Sequence, residues 1–191
     1  VLTQNTAWTN VERAIGNLKK ARVLTRNVPR SLARLRSLPK RKLEALLRPS
    51  GYFRQKARRL KIFARHAVSR GGFTRWFKTP AAELRLDLLA LSGIGRETAD
   101  SILLYAAEKP CFVVDAYTRR ILARHDFPAA KLNYDALRGH VERRLPRSVK
   151  IYNEFHALFV RVGKEWCRKR APRCGECPLG HFLPIRLEAR E

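Results

Sequence analysis

Leu91-Ser92-Gly93-Ile94-Gly95-Arg96-Glu97-Thr98-Ala99-Asp100 sets two glycines around one aliphatic residue, between two stretches of apolar periodicity. Leu86, Leu88, Leu89 and Leu91 lead in, and Thr98, Ala99, Ile102, Leu103 and Ala106 lead out. The pattern predicts two short helices crossing over a tight turn at 86–106, because glycine reaches backbone angles closed to other residues. Amides after Gly93 then lie at a helix N-terminus, where unpaired N–H groups and the helix dipole favour an anion such as a phosphate. Taken alone, the turn also reads as a plain link between helices.

Outward from the turn, the apolar run Cys111-Phe112-Val113-Val114 ends on Asp115. Four residues make a buried connector rather than part of a sheet. Asp115 reads either as the N-cap of a helix starting at Ala116 or as a working carboxylate, and one residue can do both. Helical periodicity recurs over 8–21, 40–47, 55–68, 81–91, 98–107, 116–125, 134–145 and 153–166, with Pro29, Pro39, Pro49, Gly71-Gly72, Pro80, Pro110 and Pro146 as punctuation. The expected fold class is all-α. Residues 167–191, rich in cysteine, proline and glycine, read as a small appended lobe.

The chain has 191 residues, with 41 Lys and Arg against 16 Asp and Glu, a net charge of +25. Between Lys19 and Arg70 there are 18 basic residues and one acid, Glu44. Such a surface implies a polyanionic partner, with a solvated basic face as the simpler alternative. No run of about 18 apolar residues is present to span a bilayer, and no signal peptide is evident. The expectation is a cytoplasmic monomer without membrane contact, nucleoid-associated in a bacterium. No methionine occurs, even at position 1, which suggests a chain whose start is missing. Cys167, Cys174 and Cys177 suit a metal site in a reducing compartment better than a disulfide framework.

The hairpin at 91–99, followed by Val113-Val114-Asp115, resembles the helix-hairpin-helix (HhH-GPD) DNA glycosylases of the endonuclease III superfamily. Leu2-Thr3-Gln4-Asn5-Thr6 resembles the family's early Leu-x-x-Gln segment, Gly51-Tyr52-Phe53-Arg54-Gln55-Lys56-Ala57 its Gly-aromatic-Lys-Ala helix start, and Cys167 to Cys177 its iron-sulfur loop. The resemblance implies two lobes with a cleft between them. These would be a six-helix barrel at 1–110 and a second lobe at 111–191, which carries the Asp helix and the cysteine loop at 167–183 but lacks its N-terminal helix. It also implies base-excision repair of double-stranded DNA. A damaged base is flipped out, and Asp115 stabilises the cationic sugar of the transition state and activates water.

Glu97 stands where lyase members of the family carry the lysine that forms a Schiff base. The resemblance therefore points to a monofunctional enzyme, of the endonuclease III-related branch that includes 3-methyladenine glycosylases. A bifunctional glycosylase and AP lyase acting on oxidised pyrimidines, or a DNA-binding relative without catalysis, are the alternatives. DNA contacts are expected from Gln4, Arg54, Lys56, Gly93, Ile94, Gly95, Arg96, Thr98 and Lys164. Three cysteines match three ligands of the family's 4Fe-4S cluster, but the fourth position is Leu183. His181 is the candidate replacement, and a zinc site or no metal at all are the other readings.

Overall fold

A computed structural model describes residues 1–184. Among them are ten α-helices and no strand: α1 Trp8–Lys20, α2 Val28–Ser37, α3 Lys40–Leu47, α4 Phe53–Ser69, α5 Phe73–Trp76, α6 Ala81–Leu89, α7 Arg96–Tyr105, α8 Ala116–Arg124, α9 Tyr134–Glu142 and α10 Val149–Glu165. The all-α expectation holds. The chain divides into two compact units, Val1–Thr98 and from Ala99 onward, so the division falls within α7.

In the first unit, α1 buries Val11, Ala14 and Leu18 on one stripe, the spacing of an amphipathic helix. α4 buries Ala57, Ala64 and Ala67, small residues that let α2 and α3 pack close to its axis. α2 is a helix that periodicity alone passed over. Pro29 reads as a stop, yet it occupies the first turn behind the Asn27 cap, whose side chain accepts from Arg30 N at 2.9 Å. There a proline sacrifices no hydrogen bond. Trp76 is buried, and its indole donates to Asp87 at 2.6 Å.

The core of the second unit joins Leu104 of α7 to Phe112, Val113 and Val114 of the connector, with Ala129, Leu137, Val141 and Tyr152. Asn133 and Ser148 cap α9 and α10 by accepting from Ala136 N and Ile151 N. Among the described residues, the cysteine segment shares its packing with α8 and α10. It has two 3-10 turns, Cys174–Glu176 and Gly180–Phe182, and packs Cys167, Cys177 and Leu179 against Ile121 of α8 and Phe159, Val162 and Trp166. The residues expected in the appended lobe from 185 to 191 lie outside those described.

Candidate active site and nucleic-acid interface

The hairpin forms between α6 and α7. Gly93 has φ +88, and Ile94 N donates to Leu91 O at 3.0 Å, closing the turn. Ile94 is buried and anchors the hairpin, while Gly95, Arg96 and Glu97 are exposed at the start of α7. Glu97 lies in the first turn, where the helix dipole favours an acid. Thr98 is tied inward: Gln4 Nε2 donates to Thr98 Oγ1 at 3.0 Å and to Gly93 O at 3.1 Å, while Gln4 Oε1 accepts from Arg59 Nη1 at 2.8 Å. Gln4, expected at the DNA, therefore braces the hairpin through both ends of its amide.

Lys56, expected to reach DNA, is only 1% exposed. Its ammonium donates to Ser50 O at 2.6 Å and Leu2 O at 2.9 Å, which fastens the N-terminal segment to the start of α4. Burial, and then the nearby Arg59, hold its pKa below the ordinary lysine value. Arg54 is exposed, as is Tyr52 at 64%. Tyr52 has φ +44 in the left-handed region, uncommon for a bulky residue and a feature that clusters at functional sites.

In the second unit, the connector to Asp115 is held from the side: Phe112 N donates to Glu142 Oε1 at 2.8 Å and Val114 N to the Tyr134 hydroxyl at 3.4 Å. The Cys111 thiol, against Arg138 Nη1 at 3.3 Å, is pushed up to about 12 by burial and by Asp100, more than Arg138 pulls it down. It is a packing group, not a nucleophile.

Asp115 is buried and caps α8. Its Oδ1 accepts from Thr118 N at 2.7 Å and Thr118 Oγ1 at 2.8 Å. Its other oxygen, Oδ2, lies 3.5 Å from His156 Nε2, and His156 Nδ1 lies 2.5 Å from the Tyr105 hydroxyl. Burial pushes the Asp115 carboxyl up, but the contacts from His156, Thr118 N–H and the Thr118 hydroxyl together outweigh it and hold the pKa below the ordinary carboxylate value. The result is a largely buried, ionised carboxylate with one oxygen left over from helix capping.

Sequence reasoning did not place His156 or Tyr105. His156 and Gly163 share a face of α10, and Gly163 meets the Tyr117 ring of α8 so closely that any side chain there would overlap it. Tyr117 is thus part of the α8–α10 packing, with the Arg120 guanidinium 5.0 Å above its ring. The arginines after Asp115 staple the unit. Arg119 donates to Leu132 O at 2.7 Å, Arg120 to Cys167 O at 2.7 Å, and Arg124 to the Cys167 sulfur at 3.0 Å. Lys164 is exposed near the end of α10.

Cys167, Cys174 and Cys177 line one cavity of about 10 Å³, together with Leu183 and His125. His181 is exposed, with its ring 3.9 Å from that of Phe182. The nearer imidazole is His125, whose Nδ1 contacts Phe182 O at 3.2 Å. Among the described residues no three His, Cys, Asp or Glu side chains are grouped closely enough to hold a metal ion. Three thiols and an apolar fourth position do not fit a four-thiolate 4Fe-4S cluster. No disulfide joins the four cysteines.

The profile of the HhH-GPD superfamily of base excision DNA repair proteins matches residues 1–147. A protein of Methanocaldococcus jannaschii, provisionally named a DNA repair glycosylase, is 42% identical over 185 residues, covering 95% of this chain and 81% of its own. The crystal structure of the Helicobacter pylori 3-methyladenine DNA glycosylase MagIII, bound to 1,N6-ethenoadenine, superposes with a TM-score of 0.75 at 28% identity, covering 86% of this chain and 81% of that one. A non-covalent endonuclease III–DNA complex, at 22% identity, shares the fold with a TM-score of 0.75 over 95% of this chain and 78% of its own. The chain belongs to the HhH-GPD superfamily of base excision DNA glycosylases, the group that includes endonuclease III. Among the described residues no helix is long and apolar enough to cross a membrane.

Proposed function

We propose that this protein is a monofunctional DNA glycosylase that binds duplex DNA and hydrolyses the N-glycosidic bond of a flipped, damaged base, with Asp115 as the catalytic carboxylate. The observation that carries this reading is the division of labour within Asp115: Oδ1 is committed to Thr118 and the helix, and Oδ2 is not. As the C–N bond breaks, its electron pair leaves with the base and positive charge grows on the sugar. An ionised carboxylate in a largely buried site stabilises that charge strongly. Water then bonds to the anomeric carbon and passes a proton to Oδ2, which releases it to solvent, while a cationic alkylated base departs neutral with the bond's electron pair.

Glu97 offers no amine for a Schiff base, so hydrolysis rather than strand cleavage is the outcome. Alkylated purines are the proposed substrates. A base that already bears positive charge leaves without a nucleophilic amine, and a relative at 28% identity is a 3-methyladenine glycosylase. DNA is gripped by the exposed start of α7 at Gly95 and Arg96, by Arg54 beside Tyr52, and by Lys164, under a net charge of +25.

The test is a panel of duplexes carrying one methylated, oxidised or deaminated base, read with and without alkali. Nicking of the alkylated duplex only after alkali is expected, with loss of that signal in Asp115→Asn, which preserves the helix cap. Nicking without alkali, with an adduct trapped by borohydride, would establish a lyase instead. Binding with no base release from any duplex would establish the non-catalytic alternative.

A further inference from the structure

We propose that His156, held by the Tyr105 hydroxyl, is a positioning residue for Asp115, one that keeps Oδ2 aimed at the reacting sugar and sets the acid limit of activity. The proposal rests on the catalytic reading of Asp115 given above and deepens it.

Three helices of the second unit meet at this carboxylate. Thr118 comes from α8, His156 from α10 and Tyr105 from the end of α7. His156 Nε2 is buried and makes no hydrogen bond among the described residues; its neighbour in reach is Asp115 Oδ2, at 3.5 Å. That separation is an ion-pair distance, longer than a formed hydrogen bond. A buried nitrogen left in this state costs free energy, and contacts of this kind tighten when substrate completes the site.

The opposite side of the ring is fixed. Tyr105 Oη lies 2.5 Å from Nδ1. Burial, and then the charge of Asp115, raise the Tyr105 pKa, so the phenol keeps its proton beside Nδ1. With Nδ1 held on the Tyr105 side, Nε2 is the ring nitrogen turned to Oδ2. Second partners that fix ring orientation in this way are common behind functional imidazoles.

The arrangement gives His156 a task that packing alone does not require. Oδ1 takes two donors from Thr118, so rotation of the carboxylate about its own bond is already limited. Nε2 on the other side selects the ionised form and the orientation in which Oδ2 is available. Tyr105 is 46% exposed, which connects this inner pair to the surface. The titratable groups facing Asp115 are His156 of α10 and, through it, Tyr105 of α7.

The test uses the full chain with Tyr105→Phe, His156→Gln and His156→Ala. Base release is followed under single-turnover conditions from pH 4 upward, in parallel with titration of the Asp115 carboxyl carbon by NMR without DNA. His156→Ala is expected to move the acid limb and the carboxyl titration upward together by about one pH unit. Tyr105→Phe should move both in the same direction by less, and His156→Gln, which retains a donor, should restore both towards wild type with DNA affinity unchanged.

An acid limb and a carboxyl titration that stay in place in His156→Ala would overturn the proposal, whatever the loss in rate. Should that variant fail to fold, Tyr105→Phe decides: values identical to wild type at every pH overturn it as well. Absence of base release by the wild-type protein would remove the catalytic reading, while the carboxyl titration would still show whether His156 governs Asp115.

Discussion

The Arg59 side chain lies directly over Gly93, filling the space that a β-carbon there would need. Gly93 also has φ +88, where residues with side chains are strained. Gly95, two residues on, has open space around it and lies outside the left-handed region. The two glycines of the hairpin therefore do different jobs.

Gly93→Ala is expected to destabilise the protein by about 1–3 kcal/mol, from backbone strain and displacement of Arg59. Gly95→Ala should leave stability within about 0.5 kcal/mol of wild type and weaken DNA binding, because a methyl group there keeps a phosphate from the α7 amides. Urea unfolding and fluorescence anisotropy with a short duplex separate the two effects. Equal destabilisation by both substitutions would contradict this assignment.

Arg54 and Lys56 are two positions apart, and only one of them is available to DNA. Arg54→Ala should lower the slope of log affinity against log salt by about one, with little change in stability. Lys56→Ala should leave that slope unchanged and cost about 2–4 kcal/mol in stability, because it opens a cavity and orphans the Ser50 and Leu2 carbonyls. Salt titrations on both variants, at a temperature where each is folded, provide the comparison.

These contrasts show which parts of the chain local sequence could reveal. A glycine pair between apolar helices and an Asp after an apolar run are local signatures, and both are where the pattern put them. The burial of Lys56 depends on the chain at Leu2, and the contact between Tyr105 and His156 spans 51 positions. No periodicity within one helix reports such partners. α2 was hidden for a different reason: a proline at a helix start and one at a helix stop look alike unless the Asn27 cap is weighed with it. The cysteine loop was legible as three thiols in order, but not as a segment sharing the core of α8 and α10.

Asp87 provides a pH test of the first unit. Burial pushes its carboxyl up, but contacts from His66 at 3.0 Å, Arg70 at 2.5 Å and the Trp76 indole at 2.6 Å bring it below its ordinary value of 3.8. A carboxylate with a lowered folded-state pKa contributes stability that is present above the unfolded-state value and lost as pH falls through the folded one. Asp87→Ala should therefore cost about 1–3 kcal/mol at pH 7, chiefly by orphaning the Trp76 N–H. Arg70 is half exposed and adds little. The gap between variant and wild type in urea unfolding should narrow below pH 3.8, and a gap independent of pH would mean that packing, not charge, accounts for the loss.

Leu183 shares the small cavity with Cys167, Cys174 and Cys177, and the family resemblance sets it where a fourth thiolate would stand. Leu183→Cys is expected to increase the iron and sulfide retained after anaerobic reconstitution and desalting, with a matching rise in visible absorption. The native thiols are not grouped closely enough to hold a metal ion as they stand, so the substitution asks whether a fourth thiolate lets iron draw the loop together. His181→Ala, which does not line that cavity, should leave metal content unchanged, whereas His125→Ala alters its wall. Equal iron in wild type and Leu183→Cys would mean that the fourth thiolate is not what limits metal binding by the loop.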